Sequence, residues 1–195
     1  MTVSTRGRRQ LLLVVAVFVL PLLLAVAWYR LAPSTAPAAA AHGTLIDPAR
    51  PLEPFRLERS GAAGSWTLAD LRGRWTLVHV IGPRCDADCR ERLYFTRQIH
   101  IALDKDQSRV QRLLLAPQGA ATPGLDAILD QHPRLTVLAA GPGAPLRRQL
   151  PADTGPETVL LVDPLGNLML RFGPEVPPDG ILEDLEKLLK LSRVG

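Results

Sequence analysis

The sequence predicts an α/β domain in which strands alternate with helices, preceded by one apolar N-terminal helix. Short runs of large and β-branched apolar residues, bounded by turn-forming residues, lie at 75–81, 110–116, 135–139 and within 155–167, as expected of buried strands. Stretches with helical spacing of apolar residues lie between and after them. Strands that alternate with helices are typical of α/β domains.

The remaining elements are assigned from the same patterns. Further strands are expected at 54–57 and 168–172, the second as the hairpin partner of the strand within 155–167. The final helix is amphipathic, with apolar residues at Ile181, Leu182, Leu185, Leu188 and Leu189. The other helical segments are expected at 65–73, 86–103, 124–131 and, for at most two turns, 145–150.

The charge of the chain is concentrated in its first 46 residues. They contain no acidic residue and four arginines, Arg6, Arg8, Arg9 and Arg30. The other 19 basic residues balance the 19 acidic ones, so the formal net charge of +4 comes from this segment. A domain in which acidic and basic residues are equal in number lacks the excess of positive charge typical of nucleic-acid binding, so no nucleic-acid partner is expected.

An apolar run of 18 residues, Leu11 to Trp28, is long enough to cross a bilayer once. Three arginines precede it, and the positive-inside rule then leaves the N-terminus in the cytoplasm. A cleaved signal peptide is the alternative, because Ala36 to Ala41 is a small-residue stretch, but signal cores span only about 7–15 residues. The length favours an uncleaved, single-pass anchor in the inner (cytoplasmic) membrane, with the domain facing the periplasm.

This assignment divides the chain into four parts and makes the membrane its first expected partner. They are a cytoplasmic N-terminus at 1–10, a transmembrane anchor at 11–29, an Ala/Pro-rich linker at 30–43 and a folded domain at 44–195. The domain would face an oxidising compartment, where disulfides persist.

Both cysteines of the chain lie in one Cys-x-x-x-Cys, at Cys85 and Cys89. Gly82-Pro83 ends the preceding strand, so Cys85 falls near a helix N-terminus, where free N–H groups and the helix dipole favour a thiolate. The i, i+4 spacing places both sulfurs on one helix face, with Cα atoms about 6 Å apart. The pair could close as a disulfide, open, or hold a soft metal ion between two thiolates.

A purely structural disulfide is one interpretation of this pair in an exported domain. However, the closed loop is very short, and the stabilisation expected from chain entropy decreases with loop length. Such a loop suits reversible chemistry better, with Cys85 as the exposed thiol that attacks or is attacked and Cys89 as the one that resolves. This chemistry requires both sulfurs to lie together within reach of solvent.

The strand, turn and dithiol helix resemble the way in which the thioredoxin superfamily presents its cysteines. The segment 65–73, with its Leu-Arg-Gly ending, resembles the opening of Sco, TlpA and peroxiredoxin-type domains. Within the superfamily, the three-residue spacer is similar to the Sco (SenC) family of copper-handling assembly factors for cytochrome oxidase. The resemblance implies a thioredoxin-like central sheet flanked by helices, Cu(I) at Cys85 and Cys89, and a haem–copper oxidase subunit or a copper chaperone as partner.

One copper ligand of the Sco family has no counterpart here. In that family a histidine lies shortly before the strand that ends in an Asp-Pro-x-Gly turn, but the matching segment, 153–157, contains none. Of the other candidates, His79 and Met169 are expected in the core, and His42 and His132 in solvent. His100 shares the helix face of the cysteines, but it lies about 16 Å beyond Cys89.

The segment Gly155-Pro156-Glu157-Thr158 resembles the element that carries a cis-proline opposite the dithiol in thioredoxin-like oxidoreductases. An ordinary proline before a strand is the alternative. A cis-proline would favour redox exchange over copper holding.

Together these features predict a membrane-anchored, Sco-like protein that assists assembly of the copper site of cytochrome c oxidase. It would act by thiol–disulfide exchange, by transient Cu(I) handling, or by both. The alternatives are a generic TlpA/ResA-like thiol–disulfide reductase and a non-catalytic assembly scaffold, so whether the protein is an enzyme stays open at this point. Peroxidase activity is disfavoured, because the loop lacks the threonine that precedes the reactive cysteine of peroxiredoxins.

Overall fold

The computed structural model describes residues 5–31, 41–60, 63–82, 84–117, 129–192 and 194. The chain divides into two units, Met1–Ala40 and Ala41–Gly195. The first contains helix α1, Thr5–Leu31. Among the described residues, no helix combines the length and the apolar character needed to cross a membrane. The anchor at 11–29 stays a prediction.

The second unit is built on a mixed sheet of six strands. These are β1 (Thr44–Pro51), β4 (Trp75–Val80), β5 (Val110–Ala116), β6 (Leu135–Ala139), β7 (Val159–Val162) and β8 (Asn167–Phe172). Their order across the sheet is β1-β8-β7-β4-β5-β6. Strands β4, β5 and β6 are parallel, whereas β7, β8 and β1 continue the sheet with antiparallel pairing. A separate hairpin joins β2 (Arg56–Glu58) to β3 (Ser65–Thr67).

Helices cover the sheet because its central strands are apolar on both sides. The α-helices described in full in this unit are α2 (Leu68–Leu71), α3 (Ala87–Ala102) and α4 (Pro178–Leu191), with short 3-10 turns at Asp104–Arg109 and Arg147–Gln149. On one face, apolar residues of α3 and α4 pack against β4, β7 and β8. On the other, β4, β5 and β7 pack against Leu71 of α2 and the chain around Phe55.

The predicted α/β class is confirmed, with differences at the edges. Sequence patterns missed β1, since Pro48 and Pro51 interrupt it; proline is tolerated there because β1 lies at the edge of the sheet. The segment 65–73 begins as a strand rather than a helical turn, and 145–150 forms only one 3-10 turn. Most of the helix predicted at 124–131 lies outside the described residues, although 129–131 are helical.

Candidate redox site

The two cysteines are delivered by the central part of the sheet. Strand β4 lies between β5 and β7, and all six of its residues are buried. The amide of Ile81 extends its pairing by donating to the Leu115 carbonyl at 3.0 Å. Cys85 follows four residues later, immediately before the N-cap of α3. The predicted order of a strand followed by a helix is therefore confirmed, but only Cys89 lies in that helix and Cys85 precedes it.

Cys85 and Cys89 form a disulfide, with Cα atoms 5.2 Å apart. The two sulfurs thus lie together, as the i, i+4 spacing predicts. Because the chain has only these two cysteines, no free thiol accompanies the bridge.

The expected exposure of the dithiol is wrong. Cys85 is 6% exposed and Cys89 only 1%, because both pack into an apolar cluster at the carboxyl ends of the parallel strands. The cluster also contains Ile81, Leu93, Leu114, Ala116 and Val137. Cys85 thus keeps slight solvent exposure and is flanked by the exposed residues Arg84 and Asp86, while Cys89 is enclosed.

Asp86 fixes the start of α3. Its side-chain Oδ1 accepts a hydrogen bond from the Cys89 amide at 3.0 Å, as an N-cap does. Its carbonyl accepts from the Arg90 amide at 3.1 Å. The cap holds Cys89 in the first helical turn, whereas Cys85 lies outside the helix. Sequence reasoning missed this role, although aspartate is a preferred N-cap residue.

A buried polar network lies beneath the same helix. Thr96, on α3, donates its hydroxyl proton to the Leu93 carbonyl at 3.2 Å. Its oxygen lies 3.0 Å from Nε2 of His79 on β4, so this nitrogen carries the proton and donates to Thr96. His79 is 1% exposed, and burial lowers its pKa well below the ordinary value. The prediction of His79 as a hydrogen-bonded core residue is confirmed.

Arg112 joins this network from β5. Its Nη2 donates to the Leu93 carbonyl at 3.1 Å and to Nδ1 of His132 at 3.2 Å. The prediction that His132 is solvated is therefore wrong: it is 5% exposed. Burial and the charge of Arg112 lower the pKa of His132 to about 4. No sequence signal distinguished Arg112 from a surface arginine within its strand.

The histidines do not assemble a metal site with the cysteines. His100 donates through Nε2 to the Val110 carbonyl at 2.9 Å, and its pKa is lowered by burial. His42 is not merely solvated, since its Nε2 lies 3.0 Å from the Glu183 carboxylate. Met169 is half-buried against the core, as predicted. Among the described residues, no group of three His, Cys, Asp or Glu could hold a metal ion.

The two cysteine sulfurs fit a copper ion only under one condition. They are joined to each other here, so the bridge must be reduced before either can act as a ligand. The reduced pair would supply two thiolates, which suit Cu(I) in a linear arrangement. A trigonal site of the Sco type would need a ligand from outside this set.

Of the two alternatives for Pro156, the structure does not show the cis-proline. Among the described residues, the only cis peptide bond is Asp47–Pro48. The Gly155 carbonyl instead accepts from the Thr158 amide at 3.1 Å, which makes Gly155–Thr158 a β-turn with proline at its second position. Proline favours this position of a β-turn. The alternative, an ordinary proline in the turn before strand β7, is therefore the one observed.

A family model described as the transmembrane-like, thioredoxin-like, C-terminal domain matches residues 75–192, more than half of the chain. The chain belongs to this thioredoxin-like family. The matched part of this family member runs from β4 through α4 and contains both cysteines. No curated protein matches the chain.

Solved structures similar to this thioredoxin-like protein include several Sco proteins. Apo Sco1 from Thermus thermophilus is 21% identical, with a TM-score of 0.61 over 76% of this chain and 97% of its own. Yeast Sco1 with copper bound is 17% identical, with a TM-score of 0.62 over 73% and 94%. BsSco is 16% identical, with a TM-score of 0.55 over 74% of this chain and 96% of its own. It is a member of the Sco family of cytochrome c oxidase assembly proteins in which a disulfide switch was identified. These similarities confirm the predicted thioredoxin-like fold.

Proposed function

We propose that this protein is a membrane-anchored, Sco-like assembly factor that acts on the copper site of a haem–copper oxidase through Cys85 and Cys89. Its chemistry is thiol–disulfide exchange with the cysteines of that site, and the same dithiol carries Cu(I) transiently. The observation that carries the proposal is the Cys85–Cys89 disulfide at the start of α3. Thiol–disulfide exchange needs no third metal ligand, which agrees with a site that offers only the two cysteine sulfurs.

The asymmetry between the cysteines assigns their roles. Cys85 lies before α3 and retains some exposure, whereas Cys89 is enclosed and held in the helix by Asp86. The structure does not meet the condition that both sulfurs be within reach of solvent, since Cys89 is enclosed. Exchange requires access only to the sulfur that is attacked, because the other is the leaving group. We therefore assign Cys85 as the attacking or attacked sulfur, even though the disulfide is less accessible than the sequence suggests.

The reaction balances as a two-electron exchange. In the reductive direction, the Cys85 thiolate attacks an oxidised pair of client cysteines and forms a mixed disulfide, and one client thiolate leaves. The Cys89 thiolate then attacks Cys85, which closes the Cys85–Cys89 bond and releases the second client thiolate. The client gains two electrons and can bind copper, since the thiolate is the metal ligand.

Two features support the proposed location. Large apolar side chains of α1 between Leu13 and Val26 are exposed, as required of a segment that contacts lipid. Arginines precede this segment in the sequence, which favours a cytoplasmic N-terminus. A domain on the periplasmic face would meet an oxidising environment, in keeping with a closed disulfide.

The proposal is tested by measuring the reduction potential of the full chain in an uncharged detergent. Redox buffers of graded potential set the ratio of dithiol to disulfide, which alkylation and mass measurement then report. An exchange disulfide should lie above about −300 mV, whereas structural bridges lie below this value. A potential below it would refute exchange and leave the scaffold alternative.

Anaerobic Cu(I) titration of the reduced chain tests the second part of the proposal. The expected result is one Cu(I) per chain, bound weakly enough for a three-ligand competitor protein to remove it. The Cys85→Ser/Cys89→Ser variant should bind none, and equal binding by this variant would place copper elsewhere. If the protein is instead a TlpA/ResA-like reductase, its reduction potential should lie in the range of exchange disulfides, but it should not bind Cu(I) stoichiometrically. The three-residue spacer between the cysteines argues against this alternative.

A further inference from the structure

A small cleft lies beside the C-terminal half of α3, away from the disulfide. Its volume is about 250 Å³, and its lining includes Arg97, His100, Gln107, Arg112, Pro133 and Arg134. We call it the arginine cleft. No carboxylate is among its described lining residues, so three guanidinium groups share one concave surface without a negative charge.

Arg112 is the buried base of the arginine cleft. It is 2% exposed, and its Nη2 has only neutral partners, the Leu93 carbonyl and His132. Its Nε has no hydrogen-bond partner among the described residues. Burial and the nearby charge of Arg97 lower the pKa of Arg112 to about 10. An unpaired buried charge is costly, so a counter-ion at this position would offset the cost.

Arg97 and Arg134 leave the positive charge of the cleft uncompensated. Neither forms an ion pair within the part of the chain that the structure describes. Both charges act on neighbouring histidines whose pKa is lowered mainly by burial. The charge of Arg97 lowers the pKa of His132 further, and the charge of Arg134 lowers that of His100 further. Protonated arginines therefore face the cleft beside histidines that stay neutral.

We propose that the arginine cleft binds a small oxyanion, namely the phosphate group of a soluble ester or of a lipid headgroup. Guanidinium groups present planar, paired N–H donors that match phosphate oxygens. The cleft is smaller than typical sites for drug-sized ligands, which occupy about 300–1,000 Å³. A larger cleft of about 650 Å³ shares His100, Gln107 and Arg134 with it and offers room for the rest of an organic phosphate. This site is independent of the dithiol function.

The test is a calorimetric titration of the full chain, in an uncharged detergent at constant ionic strength, with inorganic phosphate and with chloride as the reference. Phosphate should bind saturably and raise the thermal midpoint. Arg97→Gln and Arg134→Gln should each weaken binding at least tenfold, because each removes a charge-assisted hydrogen bond. Arg72→Gln, which changes an exposed arginine outside both clefts, should bind as the unchanged protein does.

Two further probes distinguish the source of the phosphate. Glycerol phosphate represents a soluble ester, and short-chain phosphatidylglycerol, kept monomeric, represents a lipid headgroup. Tighter binding of either one, lost in Arg97→Gln and Arg134→Gln, supports the cleft and identifies its ligand class. The proposal is overturned if no probe saturates, or if Arg72→Gln weakens binding as much as the two cleft variants do.

Discussion

Replacing Thr96 by valine should destabilise the folded domain through His79. Valine has nearly the shape of threonine but cannot accept the His79 Nε2 proton, which now lies 3.0 Å from the hydroxyl oxygen. Nδ1 of the same ring already has no partner among the described residues, so the imidazole would be buried with neither nitrogen satisfied. Leaving a buried donor unpaired costs about 1–3 kcal/mol. The thermal midpoint should fall by about 2–4 °C for each kcal/mol.

Urea and thermal unfolding of the full chain measure this effect. Thr136→Val is the matched control, since Thr136 is half-buried on β6 and makes no side-chain hydrogen bond in the described structure; it should change the midpoint little. Adding His79→Leu to Thr96→Val removes both polar partners, so the double variant should lose less than the sum of the single losses. If Thr96→Val unfolds like its control, or the losses simply add, the hydrogen bond does not stabilise the domain as argued.

Three further predictions follow from described contacts. The buried histidines have lowered pKa values, so the unfolded chain takes up protons first as pH falls below about 6.5. The free energy of unfolding measured with urea should therefore decrease from there toward pH 4, by up to about 1.4 kcal/mol per pH unit for each histidine, and His132→Gln should flatten this dependence. Asp86→Ala removes the N-cap and should cost about 1 kcal/mol in the same assay; no loss would show that the cap is dispensable. Gly166 has a φ of +93°, and a Cβ there would meet Leu68 at 3.0 Å, so Gly166→Ala should cost more than Gly73→Ala, which shares a positive φ of +81° but has open space.

The sequence was sufficient for features that depend on local pattern. Continuous apolar runs identified β4 and β5. The four-residue spacing of Cys85 and Cys89 predicted that the pair can be bridged, although Cys85 precedes the helix instead of lying on its face. The sequence was insufficient where packing between distant parts of the chain decides whether a residue is buried. Cys85 was expected to be exposed, but the chain folds this cysteine into the apolar cluster that contains Ile81 and Leu114. Arg112 stands in a strand whose pattern does not reveal that it is enclosed with His132.

Helix α3 is attached to the sheet at two levels, and only one of them depends on redox state. Its first turn is closed by the disulfide and by Asp86. Its middle is held by Thr96 and by the bond from Arg112 to the Leu93 carbonyl, and these groups do not change when the bridge opens. Chain entropy gives a bridge between residues only four apart about 2 kcal/mol. Reduction should therefore leave α3 in place and free only the segment that carries Cys85, so that the two sulfurs stay close enough to close again. A bond that stabilises less than one closing a long loop, and that can re-form without refolding the helix, suits exchange better than a structural role.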